Sequence, residues 1–506
     1  MKSIKSATPL ELTTLELSSS SEYIVRRRQS EIPANESTAF GESAGVYRCQ
    51  FNIGSSGVEW LDGQNSYFKC KLTVSGTTAT ALNNVHTFLD EGGIHALIKS
   101  VEVRLRNGTR LEFIENYNKF YSILSNLRHS EGHITSIESQ LSCDSMGDFP
   151  ALDPYRVRPH DATVLSAEDL QIQQAAAVAT TLYKQSRQVA FHQGNLGFTA
   201  QTRSVIFKLA SNFLNNVKYL PLPMLQQLQV VIEWDKTALG AYMVERERVD
   251  ANNNNRGNIA ALTAGNTLTY SISTPVFVAN LVEPSQSVIA AFERTYKESS
   301  IDLYYLSHRT QRKIETSQSV NMEISTQFRS ARYVLGAIFE DNAFLESGNG
   351  RGYRSNSTFR KAGMTSYVFK SGGMRFPEHG PVDCSTTYGA EALNNALIAV
   401  KQHGSIQHDS RIRPWQFYSD VEKKYSTSGN ASVTILDSTK YIFGASLCRG
   451  DNFTGADLTQ NTLFLEANFD LNAGGNTYFA NKNVFTIVGY DCVLSLSARA
   501  GAIVRY

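Results

Sequence analysis

The chain has 506 residues, of which 42% are hydrophobic, 10% aromatic and 19% charged. This composition is typical of a globular protein with a large core, so it excludes a disordered or fibrous chain, and the length allows two to four domains. The formal net charge of +1 gives no overall attraction for nucleic acid, which excludes a protein that condenses DNA.

Residues 1–44 predict an arm that precedes the first domain. The segment is rich in Ser and Thr and poor in large apolar side chains after Leu17, and it contains a short basic run from Arg26 to Arg28. A solvated tail is the commoner role for such a run, and contact with phosphates or an acidic neighbour is the alternative. The arm could also link one subunit to the next.

Residues 45–283 predict a first β-sandwich. Short β-like segments at 46–53 and 67–74 follow one another at sandwich spacing. The stretch 88–127 predicts a strand, a turn, a second strand and a helix. Apolar and polar residues alternate before Asn107-Gly108, the preferred pair for a two-residue hairpin turn, and aromatic and leucine side chains then recur at helical spacing.

The remainder of the first half predicts an insertion, a corner and a connector. Residues 128–200 interrupt the β pattern and contain several prolines, so they predict a large insertion between strands. Residues 205–235 predict two strands, and 267–282 return to β character as the last strand of the domain. Residues 284–300 predict a connector helix that begins next to a proline.

Residues 301–506 predict a second β-sandwich. Tyr333 to Phe339 is a continuous apolar run, which is typical of a buried strand. A helix is predicted at 388–403, where Gly404 occupies the position expected of a left-handed terminating residue. The other predicted strands of this half are 301–306, 320–324, 433–436, 440–447, 463–471 and 484–503.

The six cysteines do not form a metal-binding pattern. No two of them have CxxC spacing, so no zinc ribbon or knuckle is predicted. Reduced cysteines buried as small apolar residues are expected, and pairing of strand neighbours is the alternative. No stretch approaches the ~20 apolar residues of a membrane span, and no secretory signal is expected at the N-terminus. The cysteines lie at positions 49, 70, 143, 384, 448 and 492.

Two pairs of residues have a spacing that could carry chemistry. His129 and His133 are four positions apart, as two metal ligands on a helix would be, but Gly132 lies between them and no third ligand follows, so a solvated loop is favoured. Asp90 and Glu91 could form the carboxylate pair of a glycosidase. Adjacent residues on a strand point to opposite faces, which makes this interpretation much the weaker one.

The remaining motifs are weaker. Gly348 to Gly352 is glycine-rich but lacks the Lys-Ser/Thr ending of a phosphate loop. The glycosylation triplets that begin at Asn35, Asn107, Asn356, Asn430 and Asn452 are interpreted as chance matches. We therefore predict no catalytic residue, no cofactor-binding residue, no metal ligand and no enzymatic activity, although a triad assembled by the fold remains open.

Three stretches of the sequence resemble one protein family. The run from Ala96 to Leu124 resembles the strand, turn and helix of the first jelly roll in the double jelly-roll major capsid proteins of DNA viruses. Residues 205–235 resemble two core strands of the same family, joined at a Leu-Pro-Leu corner that begins at Leu220. The final run from Asn483 to Tyr506 is similar to the family's last hairpin. The resemblance spans most of residues 45–506.

The resemblance implies an all-β fold of two consecutive eight-stranded antiparallel jelly rolls with short helices and long loop insertions. It implies a major capsid protein whose homotrimers form pseudo-hexagonal capsomers that tile an icosahedral virion shell around a DNA genome. The implied partners are other copies of the chain, penton proteins and minor capsid proteins, with no specific nucleic-acid binding. The implied location is the virion, after synthesis inside the host cell and not by the secretory route.

Two departures from the family pattern favour its smaller members. Residues 106–109 replace the Gly-Gly turn of giant-virus capsid proteins, and residues 328–332 replace a Pro-Val motif of the second roll. Both differences favour polinton-like viruses, virophages or adintoviruses. The insertions 128–200 and 341–385 are predicted to form surface towers or contacts between capsomers.

A binding protein is the alternative function. The chain could be a non-viral two-domain β-sandwich that recognises carbohydrate through exposed aromatic side chains such as Trp60 and Trp415. A tryptophan buried in a core is the commoner explanation for each of these residues. Specific sugar binding by a monomer would support the alternative.

Overall fold

The computed structural model describes most of both halves of the chain. The described residues are 24–54, 57–77, 85–89, 91–130, 133–144, 201–235, 242–246, 267–339, 359–384, 390–400, 410–412, 417, 420–425, 431–436, 440–448, 455–470 and 481–506.

The first half of the chain contains strands β1 to β12. Their bounds are β1 Ile24–Pro33, β2 Ala39–Phe40, β3 Arg48–Ile53, β4 Trp60–Thr77, β5 Val85–Leu89, β6 Ile98–Leu105, β7 Arg110–Glu115, β8 Gln201–Phe207, β9 Tyr219–Leu220, β10 Leu228–Trp234, β11 Tyr242–Arg246 and β12 Thr267–Pro284.

Two antiparallel sheets form the first roll. Sheet 1A has the order β1-β12-β4-β8, with β2 and β9 at its margins, and sheet 1B has the order β3-β10-β6-β7. Apolar side chains alternate along these strands because only their inner faces are dry. Phe68 of sheet 1A meets Phe51 of sheet 1B across the core with ring centroids 5.2 Å apart. The predicted turn joins β6 to β7, but it is not a two-residue turn centred on Asn107-Gly108. The Gly108 amide donates to the Leu105 carbonyl at 2.9 Å, so Arg106 and Asn107 are the central residues, and Gly108 follows them with a positive φ of 88°.

Residues 24–33, within the range predicted for the arm, form a strand of sheet 1A. They form β1, which pairs along its length with β12, from Ile24 opposite Pro284 to Pro33 opposite Val276. The sequence pattern does not predict this strand, because β1 is an edge strand, which tolerates charged and polar residues on its exposed face. Within the basic run, Arg26 and Arg27 are exposed and Arg28 forms an ion pair with Glu59.

The second half contains strands β13 to β24. Their bounds are β13 Ile301–Glu315, β14 Ser319–Ile324, β15 Ala331–Phe339, β16 Met364–Ser371, β17 Met374–Phe376, β18 Val382–Asp383, β19 Asp420–Tyr425, β20 Ala431–Leu436, β21 Ile442–Ser446, β22 Leu463–Phe469, β23 Lys482–Ser497 and β24 Gly501–Arg505.

The second roll repeats the topology of the first. Sheet 2A has the order β13-β23-β15-β21 and sheet 2B the order β14-β22-β16-β17. When the eight principal strands of each roll are numbered along the chain, both rolls place them in the orders 1-8-3-6 and 2-7-4-5. A double-sheet sandwich of eight antiparallel strands with long Greek-key crossings is a jelly roll. The predicted fold class is confirmed.

The helices are few and short. They are α1 Tyr117–Arg128, α2 Asn212–Asn216, α3 Leu222–Leu225, α4 Gln286–Glu298 and α5 Ala390–Ala399, with additional helical turns at Gly93–Leu97, Ile134–Glu138 and Ser139–Leu141. No helix of the described residues is long and apolar enough to cross a membrane.

The helix α4 lies between the two rolls in the sequence, inside the range predicted for the connector. It packs on the first roll, where Phe292 meets Trp60 with ring centroids 4.6 Å apart. The predicted helix at 388–403 is observed as α5, and residues 401–403 lie outside the described part of the chain.

The long connections leave each roll from the same end. Strand β4 finishes at this end of the first roll, next to the start of β12, because Thr77 pairs with Thr267 there. Strands β7 and β10 finish at the same end. The two longest connections in the chain, 116–200 and 377–441, both start from this end of their roll. We refer to it as the insertion end.

Candidate functional site at the junction of the two rolls

The helix α1 lies at the centre of the contact between the rolls. All its residues from Tyr117 to Leu127 are buried, including polar ones such as Asn118 and Asn126. A helix that is buried on every side has neighbours all around it. On the second roll its neighbour is β13, where the His308 ring lies 4.9 Å from that of Phe120.

Strands β7 and β13 run side by side in the same direction. The Tyr305 hydroxyl donates to the Leu111 carbonyl at 2.7 Å, and the Thr310 hydroxyl donates to the Glu115 carbonyl at 2.8 Å. Both strands therefore advance together towards the insertion end. The two rolls stand in parallel, and the long connections of both emerge on one side of the molecule.

The outer face of sheet 2A is buried in this contact. Its side chains belong to the same hydrophobic cluster as the interior of the first roll, whereas the inner face belongs to a second cluster. The core of the first roll therefore continues into the space between the rolls, which favours cooperative unfolding of the two. The outer-face residues are Tyr333, Leu335, Ala337, Phe339, Phe485 and Ile487.

Two acidic and two basic side chains form a buried charge cluster above α1. Glu91, Asp144, Arg411 and Lys440 have side chains that are at most 4% exposed. Arg411 Nη2 lies 3.1 Å from Glu91 Oε2, and its Nη1 lies 3.4 Å from Asp144 Oδ2. Lys440 Nζ donates to Glu91 Oε2 at 2.5 Å. The charges balance, which a buried cluster requires.

Amide and hydroxyl groups complete the cluster. Asn126 on α1 accepts from Arg411 Nε at 3.2 Å and donates to Glu91 Oε2 at 3.2 Å. The backbone amide of Gly92 donates to Asp144 Oδ1 at 2.6 Å, and Ser125 Oγ accepts from Arg411 at 3.1 Å. The first roll supplies both acids, and the connection 377–441 of the second roll supplies both bases. The charge cluster therefore links the second roll to α1 by ion pairs and hydrogen bonds.

Burial and the paired charges act in opposite directions on Asp144 and Arg411 of the charge cluster. Burial raises the pKa of Asp144 to about 6, although Arg411 and the Gly92 amide oppose the change. Burial also disfavours the charge on Arg411, but Glu91 and Asp144 outweigh it and raise the pKa of Arg411. Removing one partner of such a cluster leaves an unpaired buried charge, which costs more than the intact cluster contributes to stability.

Three further buried groups titrate far from their ordinary ranges. Burial lowers the pKa of His95 and His308 to about 3 and raises the pKa of Glu112 to about 7. His308 Nε2 lies 2.7 Å from the Tyr333 hydroxyl, and Glu112 accepts from the Ser211 hydroxyl. A neutral His95 inside the first roll and a neutral His308 at the contact between the rolls are therefore part of the folded structure at pH 7.

The candidate carboxylate pair of the sequence analysis is not a catalytic pair. Glu91 belongs to the charge cluster and is 2% exposed, while Asp90 lies outside the described residues. His129 and His133 do come together, with ring centroids 5.2 Å apart, and His133 Nε2 lies 3.3 Å from Glu138 Oε1. Within the described ranges, no group of three or more His, Cys, Asp or Glu could hold a metal ion.

The aromatic and glycine-rich candidates also lack a described site. Trp60 is 5% exposed and packs in the core against Phe292, so it is not available to a sugar. Trp415, the run Gly348 to Gly352 and the triplets at Asn356, Asn430 and Asn452 lie outside the described residues. Asn35 is exposed, and Asn107 is exposed in the hairpin turn, where it accepts from the Thr109 amide.

The cysteine side chains are free thiols in the structure. Five are buried and Cys448 is half-buried. Burial raises the pKa of Cys70 to about 12 and the pKa of Cys384 to about 11, so these thiols stay protonated and unreactive at neutral pH.

The charge cluster was missed by the sequence analysis. Arg411 and Lys440 lie 320 and 349 positions from Glu91, and nothing in their neighbourhoods marks them as buried. Lysine and arginine side chains are almost never fully buried unless they are paired. The sequence around a lysine or arginine therefore does not indicate that it is buried.

Comparisons with known proteins agree on the architecture. No family and no curated protein matches the sequence. A chain of the Sputnik virophage determined by cryo-electron microscopy is similar over 100% of this chain and 93% of that one, with 11% identity and a TM-score of 0.59. The mavirus major capsid protein is similar over 94% and 90%, with 10% identity and a TM-score of 0.50.

These matches cover both rolls. The strand order of both rolls is already evident from the pairing of their strands. The chain is a double jelly roll. The double jelly roll explains why the two halves share one strand order, with the long insertions on the same side. At 10–11% identity the comparisons show the fold alone.

Proposed function

We propose that the protein is the major capsid protein of an icosahedral DNA virus. The observation that carries this proposal is the pair of jelly rolls with the same strand order, standing in parallel with their insertions at one end. The similarity to a chain of the Sputnik virophage and to the mavirus major capsid protein supports it. The function is structural and non-enzymatic.

The geometry suits a shell protein for a physical reason. Two similar rolls in parallel give one chain two similar sides, so three chains in a ring present six similar sides to their neighbours. Such a trimer fits a lattice in which every capsomer touches six others. The partners are then other copies of the chain, neighbouring trimers, and penton and minor capsid proteins, and the location is the virion shell around a DNA genome.

The domain division follows from the same proposal. We propose that the first roll comprises residues 24–283, since β1 is its first strand, that 284–300 is the connector, and that the second roll comprises 301–506. Residues 1–23 would be the remaining arm. The parts of the predicted insertions at 145–200 and 341–358 lie outside the described residues and are proposed to be on the outer surface of the shell.

The mass and outline of the purified protein test the proposal. Light scattering is expected to give about 168 kDa, three times the chain mass of 56.1 kDa, and negative-stain images of the same peak to show a hexagonal outline. A monomer that persists across a hundredfold range of protein concentration would contradict the proposal. Binding to a glycan array by that monomer would favour the carbohydrate-binding alternative.

A further inference from the structure

The charge cluster brings an amine and a side-chain amide to one carboxylate oxygen. Lys440 Nζ donates to Glu91 Oε2 at 2.5 Å, and Asn126 Nδ2 donates to the same oxygen at 3.2 Å. Asn126 lies on α1 of the first roll, whereas Lys440 belongs to the connection 377–441 of the second. A lysine amine, a carboxamide and an acid that touches both are the groups required to join two side chains by an amide bond.

Solvent is excluded from these three groups. The side chains of Lys440 and Glu91 are 4% and 1% exposed, and Asn126 is fully buried. Lys440 Nζ also lies over the Phe359 ring, 5.3 Å from its centroid. Burial penalises both the ammonium and the carboxylate, so it favours transfer of a proton along their hydrogen bond to give a neutral amine and a neutral acid. The neutral amine is the nucleophilic form of lysine.

The Asn126 amide is oriented for attack by an amine. Its Oδ1 accepts from Arg411 Nε at 3.2 Å, and its Nδ2 is held by Glu91 and by the Ser122 carbonyl at 2.8 Å. Negative charge develops on Oδ1 when a nucleophile adds to Cγ, and the Arg411 guanidinium stabilises that charge as an oxyanion-hole donor does. Nδ2 is the leaving nitrogen, and Glu91 is within reach to protonate it.

We propose that Lys440 and Asn126 form an isopeptide bond that joins the two rolls covalently. Glu91 takes a proton from Lys440 Nζ, and the neutral amine adds to Asn126 Cγ to form the new Nζ–Cγ bond. Glu91 then passes its proton to Nδ2 and accepts a second proton from Nζ. The Cγ–Nδ2 bond breaks and ammonia leaves, so the chain itself supplies every reactant.

The reaction halves the number of buried charges in the cluster. Lys440 becomes part of a neutral amide and Glu91 ends protonated, so Arg411 and Asp144 remain as a balanced pair with Nη1 and Oδ2 3.4 Å apart. Each buried charge has a desolvation cost, which favours the product in the folded protein. The bond forms once per chain, so it modifies a structural protein and is not enzymatic turnover. The inference does not depend on the proposed capsid function.

Mass spectrometry of the purified, denatured chain tests the proposal. The chain is expected to be lighter than its sequence by one ammonia molecule. Trypsin is expected to release residues 120–128 joined to 425–449, because it does not cleave after an acylated lysine at position 440. Glu91→Gln keeps both reacting groups but removes the acid–base, and is expected to slow bond formation about 100-fold or more. The matched control Lys482→Met replaces another buried lysine and is expected to lose ammonia as the wild type does.

The joined peptide in the wild-type digest supports the bond, whatever the oligomeric state of the protein. A wild-type chain that keeps its full sequence mass after overnight incubation at neutral pH overturns it, and so does a loss of ammonia without the joined peptide. A loss of water with Lys440 joined to Glu91 also overturns it, because Asn126 would not be the acyl donor. A folded Glu91→Gln variant that reacts as fast as the wild type overturns the role of Glu91. If this variant does not fold, the wild-type digest alone decides.

Discussion

Sheets 1A and 2A have the same strand order, but their outer faces have opposite character. On β4, the outward Tyr67, Lys69, Lys71 and Thr73 alternate with the buried side chains from Phe68 to Val74. On β15, almost every side chain is buried, and inward and outward positions are equally apolar.

The difference shows how a repeated fold is adapted to two positions in one molecule. A sheet with one dry face alternates along its strands, whereas a sheet covered on both faces contains continuous apolar runs. Sheet 2A is the middle layer of the molecule, between α1 on one side and sheet 2B on the other. Sheet 1A is an outer layer of the single chain.

The largest expected effect is at the outer face of sheet 2A. Phe485→Ala is expected to lower the free energy of unfolding by about 3–5 kcal/mol, because the ring is fully buried between the rolls and its loss leaves a cavity. Lys71→Ala on sheet 1A is expected to change it by less than about 0.5 kcal/mol. Urea unfolding at one fixed protein concentration measures both. Equal effects would refute the contrast between the sheets.

Variants of the charge cluster test whether its ion pairs hold the second roll against α1. Arg411→Met is expected to cost about 3–5 kcal/mol of unfolding free energy, since Glu91 and Asp144 lose a buried partner. Adding Asp144→Asn to that variant is expected to recover part of the loss. The control is Arg110→Met, which breaks the surface ion pair with Glu102 at 2.8 Å and is expected to cost at most about 1 kcal/mol.

An unchanged stability of Arg411→Met in the same urea experiment would show that the Arg411 ion pairs do not help to hold the rolls together. A loss no greater than that of Arg110→Met would lead to the same conclusion. A full recovery by Asp144→Asn would identify the unpaired carboxylate as the main source of the cost.

The smallest expected effect is on the pH dependence of stability. The pKa of His308 is lowered by burial to about 3, from an ordinary value of 6.5, so the unfolded chain binds a proton that the folded protein excludes. The stability that depends on a neutral His308 is complete above pH 6.5 and is lost as the pH falls towards 3. His308→Gln is expected to reduce this slope by up to about 1.4 kcal/mol per pH unit.

Unfolding free energies of both proteins at pH 7, 6 and 5 check this expectation. Glu112 and Asp144 act in the opposite direction, since their raised pKa values make the folded protein more stable as the pH falls through 7 and 6. Comparison of the variant with the wild type cancels their contribution. Parallel curves for the two proteins would show that His308 has the same pKa in the folded and unfolded states.

Local sequence patterns predicted the strands and helices that have one or two faces buried in a core. The alternation before Asn107-Gly108, the helix from Tyr117 and the apolar run from Tyr333 to Phe339 were each recognised because side-chain periodicity reports burial directly. The strand at 24–33 was missed, because the side chains of an edge strand face water as those of a tail do.

The sequence by itself determined the two sandwiches and the resemblance to a capsid family, because alternation, turn residues and short motifs are local properties of the chain. Only the tertiary structure decided that sheet 2A receives α1 and that Glu91, Asp144, Arg411 and Lys440 meet. Those contacts join residues hundreds of positions apart, and their geometry depends on how the two rolls are placed against each other. No local pattern contains that placement.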